Sequence, residues 1–399
     1  MASQKFSLTS SETAPSSPAW RLDAGSSDAP QLSGSSDWSI TQTTLRDGVS
    51  AGVEVVELNN GSLSMSILPT RGMGLWRGSF RGVPIEWQSP VKRPVHPAFV
   101  NLHERGGLGW LRGFNELMCR CGLSFNGPPG VDRFVDGNGN TVENELTLHG
   151  RIANTPAHDL SVEVCNENGG TLSVSGSVDE VMMFGPALRL ETKYSTVVGS
   201  NSLKMSDVIT NFGGQPTEIE LLYHTNLGRP FLEGGAKLVA AVAEVAPRDG
   251  HSAKSVESFD TYAAPVTGFP EEAFFFDLLA DDAGRSTVLL KNAVGDRGFS
   301  LSFAKQQLPC FTLWKNTQAE ADGCVTGLEP GTNFPNLKTF EREQGRVITL
   351  APGESYSIEI ELSVYDTAEA VSTVENKIRA MQTVAAQVHT RPVAKFSPL

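Results

Sequence analysis

Residues 53–68 read VEVVELNNGSLSMSIL, and this stretch decides the fold. Residues 53–58 are rich in valine, and in residues 63–68 apolar and polar side chains alternate with a period of two. Such alternation is typical of a half-buried strand. Between the two runs stands Asn59-Asn60-Gly61, which favours the tight turn of a β-hairpin. The stretch therefore predicts a strand, a turn and a second strand.

The same pattern recurs along the chain. Residues 158–164 and 171–178 flank a turn rich in Asn and Gly, and residues 188–198 and 202–211 flank Gly199-Ser200-Asn201. Strands at this density, joined by short turns, favour an all-β sandwich or barrel over alternating strands and helices. No glycine-rich nucleotide-binding motif follows a strand, so a nucleotide cofactor is not predicted.

One amphipathic helix is predicted near the C-terminus. Apolar residues recur there at spacings of three and four, namely Val371, Val374, Ile378, Met381 and Val384. This spacing places them on one face of an α-helix. Thr367 is predicted as the N-cap of that helix.

Charge and cysteine content exclude several classes of protein. The 399 residues include 32 Lys and Arg against 45 Asp and Glu, a formal net charge of −13. Nucleic acids and anionic membrane surfaces are not expected as partners, because both require a basic face. The irregularly spaced cysteines predict reduced thiols rather than disulfides or a zinc site; they are Cys119, Cys121, Cys165, Cys310 and Cys324.

The first 38 residues differ in composition from the rest. They are rich in Ser, Ala, Pro and Asp, which predicts a flexible N-terminal arm. Residues 39–399 are predicted to form one domain. The N-terminus shows no basic region followed by an apolar one, so the expected location is the cytoplasm.

Three strand-like segments each carry a group suited to acid–base chemistry. His149 precedes a glycine, His224 lies within an apolar strand, and Glu329 lies between Leu328 and Pro330. A desolvated carboxylate has a raised pKa, which suits a general base. Two imidazoles and a carboxylate suit chemistry on a sugar hydroxyl and ring oxygen. The alternative is that each is an ordinary hydrogen-bonded residue of a β-protein.

Other side chains are candidates for holding a sugar. Arg71, flanked by small residues, could clamp a sugar oxygen with its planar guanidinium or form a surface salt bridge. Trp314, which is followed by Lys315, could stack on a sugar ring or fill the core. Asn226 and Asn333 offer amide groups to sugar hydroxyls.

Taken in order, these segments resemble the aldose 1-epimerase (galactose mutarotase-like) superfamily, and within it the branch called DUF4432. The similarity runs from about residue 50 to residue 365. Each motif alone is weak, but the ordered set is specific for the superfamily, although not for a substrate. The segments are Leu68-Pro69-Thr70-Arg71-Gly72-Met73, Gly109-Trp110-Leu111-Arg112 with Cys121-Gly122-Leu123, Leu148-His149-Gly150-Arg151, Asp207-Val208-Ile209-Thr210-Asn211, Leu222-Tyr223-His224-Thr225-Asn226-Leu227-Gly228 and Gly327-Leu328-Glu329-Pro330.

The resemblance implies a large antiparallel β-sandwich with a sugar cleft on one sheet. It implies an isomerase that interconverts sugar anomers without a metal or cofactor. In that scheme His224 is the acid and Glu329 is the base. The expected substrate-binding residues are Arg71, His149, Arg151, Asn226, Trp314, Lys315 and Asn333.

Two features of the resemblance bear on the substrate. The family's Asp between the acid and the base has no clear counterpart, and Asp249 is only a weak candidate. An arginine set suggests an acidic sugar, and its members are Arg71, Arg112, Arg120 and Arg151.

Three functions remain open from the sequence. The first is a mutarotase. The second is an isomerase, epimerase or lyase that abstracts a proton next to a carbonyl of an oxidised or acidic sugar. The third is a sugar-binding protein without catalysis, because a fold does not fix a function. The sequence predicts no oligomeric state.

Overall fold

Strands make up most of the regular structure of this computed structural model, as the sequence predicts. The structure describes residues 3–9, 19–30, 32, 37–135, 139–167 and 169–398. The strands are, in chain order, β1 (Ser3–Ser7), β2 (Ala19–Asp23), β3 (Ser39–Thr44), β4 (Glu54–Asn59), β5 (Leu63–Leu68), β6 (Gly74–Phe80), β7 (Val83–Ile85), β8 (Met118–Cys121), β9 (Gly130–Val135), β10 (Thr141–Leu146), β11 (His158–Cys165), β12 (Thr171–Val181), β13 (Ala187–Val197), β14 (Ser202–Asn211), β15 (Thr217–Ile219), β16 (Leu222–Leu227), β17 (Lys237–Ala240), β18 (Val242–Pro247), β19 (Glu272–Leu278), β20 (Arg285–Lys291), β21 (Gly298–Ala304), β22 (Cys310–Asn316), β23 (Val325–Gly331), β24 (Ile348–Leu350), β25 (Ser355–Tyr365) and β26 (Gln387–Val388).

Helical segments are short. The α-helices in the described part of the chain are α1 (Glu104–Gly107), α2 (Lys338–Glu343) and α3 (Ala368–Ala380). Turns of 3-10 helix occupy Gly48–Ser50, Pro69–Arg71, Pro97–Phe99, Gly109–Gly113, Ile152–Asn154, Ser252–Lys254, Val256–Ser258 and Glu320–Asp322.

Helix α3 is the predicted C-terminal helix. Its N-cap is Thr367, whose hydroxyl accepts a hydrogen bond from the backbone N–H of Ala370 at 3.3 Å. Val371 and Ile378 are buried, which confirms the apolar face for these two positions. The helix ends at Ala380, so the predicted position Val384 lies beyond it and is exposed. No helix in the described ranges is both long and apolar enough to cross a membrane.

Two large sheets dominate the fold. One has nine strands in the order β1-β11-β12-β13-β14-β25-β21-β20-β17. The other has thirteen, in the order β2-β3-β4-β5-β6-β8-β16-β23-β22-β19-β18-β26, with β7 paired to β6. Among the pairings described, β18 with β26 is parallel and the strands around the candidate site pair antiparallel.

The two sheets pack face to face around a shared apolar core. Tyr223 and Leu227 of β16 and Phe311 and Leu313 of β22 belong to it, together with Leu190 of the nine-stranded sheet. Successive residues of a strand point to opposite faces. The residues between these core positions therefore point to the outer face of the larger sheet.

Two segments of the predicted N-terminal arm are strands at sheet edges. Strand β1 pairs with β11 in the nine-stranded sheet, and β2 pairs with β3 in the other. The ring centroids of Phe6 and Trp20 lie 5.8 Å apart. The prediction of a flexible arm is wrong for these two segments, because each gains backbone hydrogen bonds to a sheet. Much of the remaining arm lies outside the described residues, and a single domain over 39–399 stays a prediction.

Candidate active site

A cavity opens on the outer face of the thirteen-stranded sheet. Its volume is about 390 Å³, within the roughly 300–1,000 Å³ typical of small-molecule sites. Its apolar lining consists of Leu108, Trp110, Leu111, Phe114, Pro128, Pro129, Leu148, Ala273, Phe275, Trp314 and Pro335. Its polar lining consists of His149, His224, Arg248, Glu271, Thr312 and Glu329.

Strand register builds the cavity floor as a row of side chains that crosses the strands. The register of β16 against β23 places His224 opposite Glu329. Glu329 pairs with Thr312 of β22, and Thr312 pairs with Phe275 of β19. Residues directly opposite on one face have Cβ atoms about 4.5–5.5 Å apart. These four side chains, called the floor row below, therefore lie side by side although they are distant in the sequence.

The first two members of the floor row form a close acid–base pair. Nε2 of His224 lies 3.2 Å from Oε1 of Glu329. The two atoms do not meet hydrogen-bond geometry, and Oε1 has no hydrogen-bond partner among the described residues. Both side chains are buried, with 6% and 3% of their surface exposed. The structure thus brings together the two residues predicted as acid and base.

Burial drives both members of this pair towards their neutral forms. It lowers the pKa of His224 to about 3. It raises the pKa of Glu329 well above its usual value, and the nearby charge of Glu271 raises it further. Desolvation disfavours the charged form of each group. Both shifts favour the neutral forms, in which a proton resides on the Glu329 carboxyl and none on Nε2 of His224.

Asn226 fixes the tautomer of His224. Its amide nitrogen donates to the backbone carbonyls of Glu116 at 3.0 Å and of His224 at 3.1 Å. Its amide oxygen therefore faces Nδ1 of His224, 2.7 Å away, and accepts the Nδ1–H. The lone pair of the neutral ring is then on Nε2, towards Glu329. Asn226 lies behind the imidazole and does not line the cavity, which corrects its expected role as a sugar ligand.

Arg71 supports the position of Asn226 through Glu116, whose backbone carbonyl accepts from the Asn226 amide. It is buried, with its Nε donating to Glu116 at 2.5 Å and its other nitrogens donating to Val95, Asn154 and Gly113. The expectation that Arg71 binds substrate is therefore corrected. Its donors are committed to protein acceptors, and it does not line the cavity.

Gly327 makes room for the Glu329 carboxyl. These residues are two apart on β23, so they share one face of the sheet. A Cβ at position 327 would lie 2.2 Å from Oε1 of Glu329. A side chain there would therefore displace the carboxyl from His224.

His149 lies beside His224 in the cavity wall, with ring centroids 5.5 Å apart. Its Nδ1 donates to the backbone carbonyl of Asn126 at 2.7 Å, so Nε2 can accept from a ligand. Burial lowers its pKa to about 4. Asn333 hydrogen-bonds the side chains of Asn126 and Glu220, each at 2.8 Å. Asn333 thus supports the loop that orients His149, and it does not line the cavity as expected.

Aromatic rings enclose the two imidazoles. The Trp110 ring lies 4.8 Å from the ring of His149. The rings of Phe114 and Trp314 lie 5.1 Å and 5.4 Å from that of His224. Aromatic side chains offer apolar faces on which the C–H face of a sugar ring can pack. Trp314 therefore lines the cavity, and so does Trp110, to which the sequence analysis assigned no role.

Arg248 and Glu271 line the cavity, although the sequence indicated neither. Nη2 of Arg248 lies 3.1 Å from one oxygen of Glu271, and Nε1 of Trp314 donates to the other at 2.8 Å. Nε of Arg248 donates to Asp249 at 3.0 Å. Asp249 itself does not line the cavity. Glu271 is an acidic side chain of the cavity lining that lies between His224 and Glu329 in the sequence.

The remaining predicted ligands lie elsewhere. Arg151 is exposed and does not line the cavity. Lys315 points to the opposite face of β22 from Trp314, and its ammonium donates to the carbonyls of Phe259 and Thr261. Both placements correct the expectation of substrate contact.

The predicted arginine set does not converge on the cavity. Arg120 is buried between the sheets and binds Asp207 through two nitrogens, at 2.6 and 2.8 Å. Arg112 pairs with Glu104 near the surface. With Arg71 and Arg151 also placed elsewhere, the basis for an acidic sugar disappears.

Three buried polar atoms in the cavity wall lack a hydrogen-bond partner among the described residues. They are Oε1 of Glu329, Oγ1 of Thr312 and Nε1 of Trp110. Buried polar groups are normally paired, so these atoms are available to a polar ligand. Within the described ranges, no cluster of three or more His, Cys, Asp or Glu side chains is arranged to hold a metal ion.

A family model described as a domain of unknown function, DUF4432, matches residues 50–364. The chain belongs to the DUF4432 family. This DUF4432 protein is 34% identical to a proposed aldose 1-epimerase of known structure from Klebsiella pneumoniae. The match covers 98% of this chain and 99% of that one, with a TM-score of 0.90. No protein with a curated description matches the sequence.

More distant structures share the fold of the DUF4432 protein. A galactose mutarotase-like protein from Clostridium acetobutylicum is 16% identical, over 79% of this chain and 96% of that one, with a TM-score of 0.54. A galactose mutarotase related enzyme from Lactobacillus acidophilus is 13% identical, over 79% and 98%, with a TM-score of 0.52. The predicted galactose mutarotase-like sandwich is thus confirmed, and at these identities the likeness concerns the fold alone.

Proposed function

We propose that this protein is an aldose 1-epimerase, which interconverts the two anomers of a free aldose by opening and closing the sugar ring. The observation that carries the proposal is the His224–Glu329 pair, 3.2 Å apart in a walled cavity. Anomer interconversion needs one group that takes a proton from the C1 hydroxyl and another that gives a proton to the ring oxygen. A paired carboxyl and imidazole that share one proton supply both.

The proton transfers balance within this pair. Before ring opening, the shared proton moves from Glu329 to Nε2 of His224, which leaves a carboxylate and an imidazolium. Glu329 then takes the proton of the C1 hydroxyl while His224 protonates the ring oxygen, and the C1–O5 bond breaks. Rotation about C1–C2 presents the other face of the aldehyde, and the reverse transfers close the ring as the opposite anomer. Each positioned group contributes about 10²–10⁴-fold to the rate.

The cavity walls favour a neutral sugar. Arg248 is the one Lys or Arg side chain lining the cavity among the residues described, and it is already paired with Glu271 and Asp249. The carboxylate of an acidic sugar would meet Glu271 without an unpaired cation to offset it. Trp314 and Trp110 offer apolar surface to the ring, and Nε2 of His149 accepts a hydrogen bond from a sugar hydroxyl.

The direct test is anomer exchange followed by one-dimensional NMR. A pure anomer of glucose, galactose, a 6-deoxyhexose or a uronate is dissolved with and without the protein. We expect faster equilibration of at least one neutral sugar and little effect on uronates. In deuterated water, anomer exchange incorporates no deuterium at carbon. Deuterium at C2 would instead support the isomerase or epimerase alternative, and binding without acceleration would support a sugar-binding protein.

The pH profile of the reaction follows from the protonation of the pair. Burial lowers the pKa of His224 to about 3 and of His149 to about 4, and it raises the pKa of Glu329. We expect kcat/KM to stay level from about pH 5 to an alkaline limb at which Glu329 loses its proton. An ordinary histidine titrates near pH 6.5. After subtraction of the uncatalysed rate, a step near that pH would contradict this assignment.

A further inference from the structure

Thr312 carries a hydroxyl whose position the structure leaves unexplained. The residue is 2% exposed and lines the cavity. Its Oγ1 has no hydrogen-bond partner among the described residues. Its neighbours on β22, Phe311 and Leu313, belong to the apolar core, so Thr312 points away from that core. An unpaired hydroxyl aimed into a cavity indicates a ligand that pairs with it.

The floor row fixes where Thr312 lies relative to the reacting atoms. Thr312 is the direct cross-strand partner of Glu329, and His224 is opposite Glu329 on its other side. Neighbouring strands are about 4.8 Å apart. The order across the sheet is therefore imidazole, carboxyl, hydroxyl. The next member of the row is Phe275, which ends the polar part.

The reacting edge of a pyranose has a matching order. The ring oxygen and the C1 hydroxyl are both attached to C1, and the C2 hydroxyl follows on the next carbon. With the ring oxygen at His224 and the C1 hydroxyl at Glu329, the C2 hydroxyl comes next along the row. We propose that Thr312 binds the C2 hydroxyl of the sugar and makes the site selective for aldoses that carry one. The proposal rests on the proposed function for its placement of C1.

A hydroxyl suits this position because it can both donate and accept. Phe275 beyond it offers no further partner, so Thr312 is the last polar group that the C2 substituent can reach along the row. The residue touches no proton that moves in the reaction. It therefore determines specificity and the position of C1 over Glu329.

The test compares two sugars with two forms of the protein. Anomer exchange and binding are measured for glucose and 2-deoxyglucose, and for galactose and 2-deoxygalactose, with the natural protein and with Thr312→Val. Valine has nearly the shape of threonine without its hydroxyl. We expect Thr312→Val to lower kcat/KM for the 2-hydroxy sugar about 5- to 20-fold, as for the loss of one hydrogen bond. The 2-deoxy sugar should change by less than about twofold.

Thr225→Val is the matched control. Thr225 is also buried, and its Oγ1 has no hydrogen-bond partner in the described part of the chain. Alternation along β16 turns it to the face opposite His224. We expect this variant to discriminate between 2-hydroxy and 2-deoxy sugars as the natural protein does.

The outcomes separate this proposal from the proposed function. Suppose that the natural protein accelerates exchange and that Thr312→Val discriminates against the 2-deoxy sugar as strongly as the natural protein does. Thr312 then does not bind the C2 hydroxyl. If the natural protein accelerates no sugar, the proposed function fails, and the binding constants decide about Thr312. Loss of binding by Thr312→Val confined to the 2-hydroxy sugars would then still support the contact, and equal binding would overturn it.

Discussion

Glu329→Gln is expected to reduce the rate of anomer exchange by about 10²–10⁴-fold at pH 7. Glutamine has nearly the shape of the protonated glutamate, so the cavity and the contact with His224 are kept. It cannot take the proton of the C1 hydroxyl. The measurement is kcat from NMR anomer exchange with the best neutral sugar, together with KM, which should change by less than about threefold. A rate within fivefold of that of the natural protein would remove Glu329 from the mechanism.

The same variant is expected to be more stable above pH 6. Burial raises the pKa of Glu329 in the folded protein above its unfolded value. The folded state therefore binds more protons than the unfolded state, and stability is lost as the pH rises above about 4.5. Glutamine has no such loss, so its advantage in the free energy of unfolding should grow as the pH rises from 5 to 8. Denaturant unfolding at pH 5 and pH 8 measures this advantage. A variant that is less stable than the natural protein at pH 8 would indicate a structural cause for its lost activity.

His224→Ala is expected to lower kcat by about 10²–10⁴-fold with little change in KM, because it removes the group that protonates the ring oxygen. His149→Ala should differ in kind. His149 accepts a hydrogen bond from the sugar but transfers no proton, so KM should rise about tenfold while kcat changes less. Steady-state anomer exchange over a range of sugar concentrations gives both constants.

Two controls accompany the histidine variants. His103 is exposed and does not line the cavity, so His103→Ala should leave both constants unchanged. Free imidazole added to His224→Ala should restore part of the lost rate, since the deletion leaves space beside Glu329. If His149→Ala loses kcat and His224→Ala loses only affinity, the two roles must be exchanged.

The sequence was sufficient for the architecture and for the choice of His224 and Glu329 as residues that meet in the cavity. Period-two alternation predicted the strands, and spacings of three and four predicted helix α3. Polar side chains in otherwise apolar strands indicated His224 and Glu329, because such groups need a reason to be there. The prediction was strongest where one residue broke a regular pattern.

The sequence was weaker at telling which face of a strand meets the cavity. Trp314 and Lys315 are adjacent, so alternation sends one to the cavity and the other to the opposite face. The small residues that flank Arg71 in the sequence suggested access, but its guanidinium is buried. It packs against Gly113, where a Cβ would lie 2.7 Å from its nitrogens.

The missed residues show what a single chain segment cannot reveal. Arg248 directly follows β18 and Glu271 directly precedes β19, and only the pairing of those two strands brings them to the cavity. Thr312 could have been found, since it alternates with the apolar residues Phe311 and Leu313 on the same strand as Trp314.

The burial of the His224–Glu329 pair affects the charge of the pair at the open-chain stage of the proposed reaction. Burial favours the uncharged pair, with the proton on Glu329. After ring opening the pair returns to that uncharged form, since the carboxylate has gained a proton and the imidazolium has lost one. The uncharged pair is therefore the form present both at rest and beside the open-chain aldehyde, and the charged pair exists only between these two states. Both anomers open to the same aldehyde beside the same uncharged pair, so one site can serve the reaction in either direction.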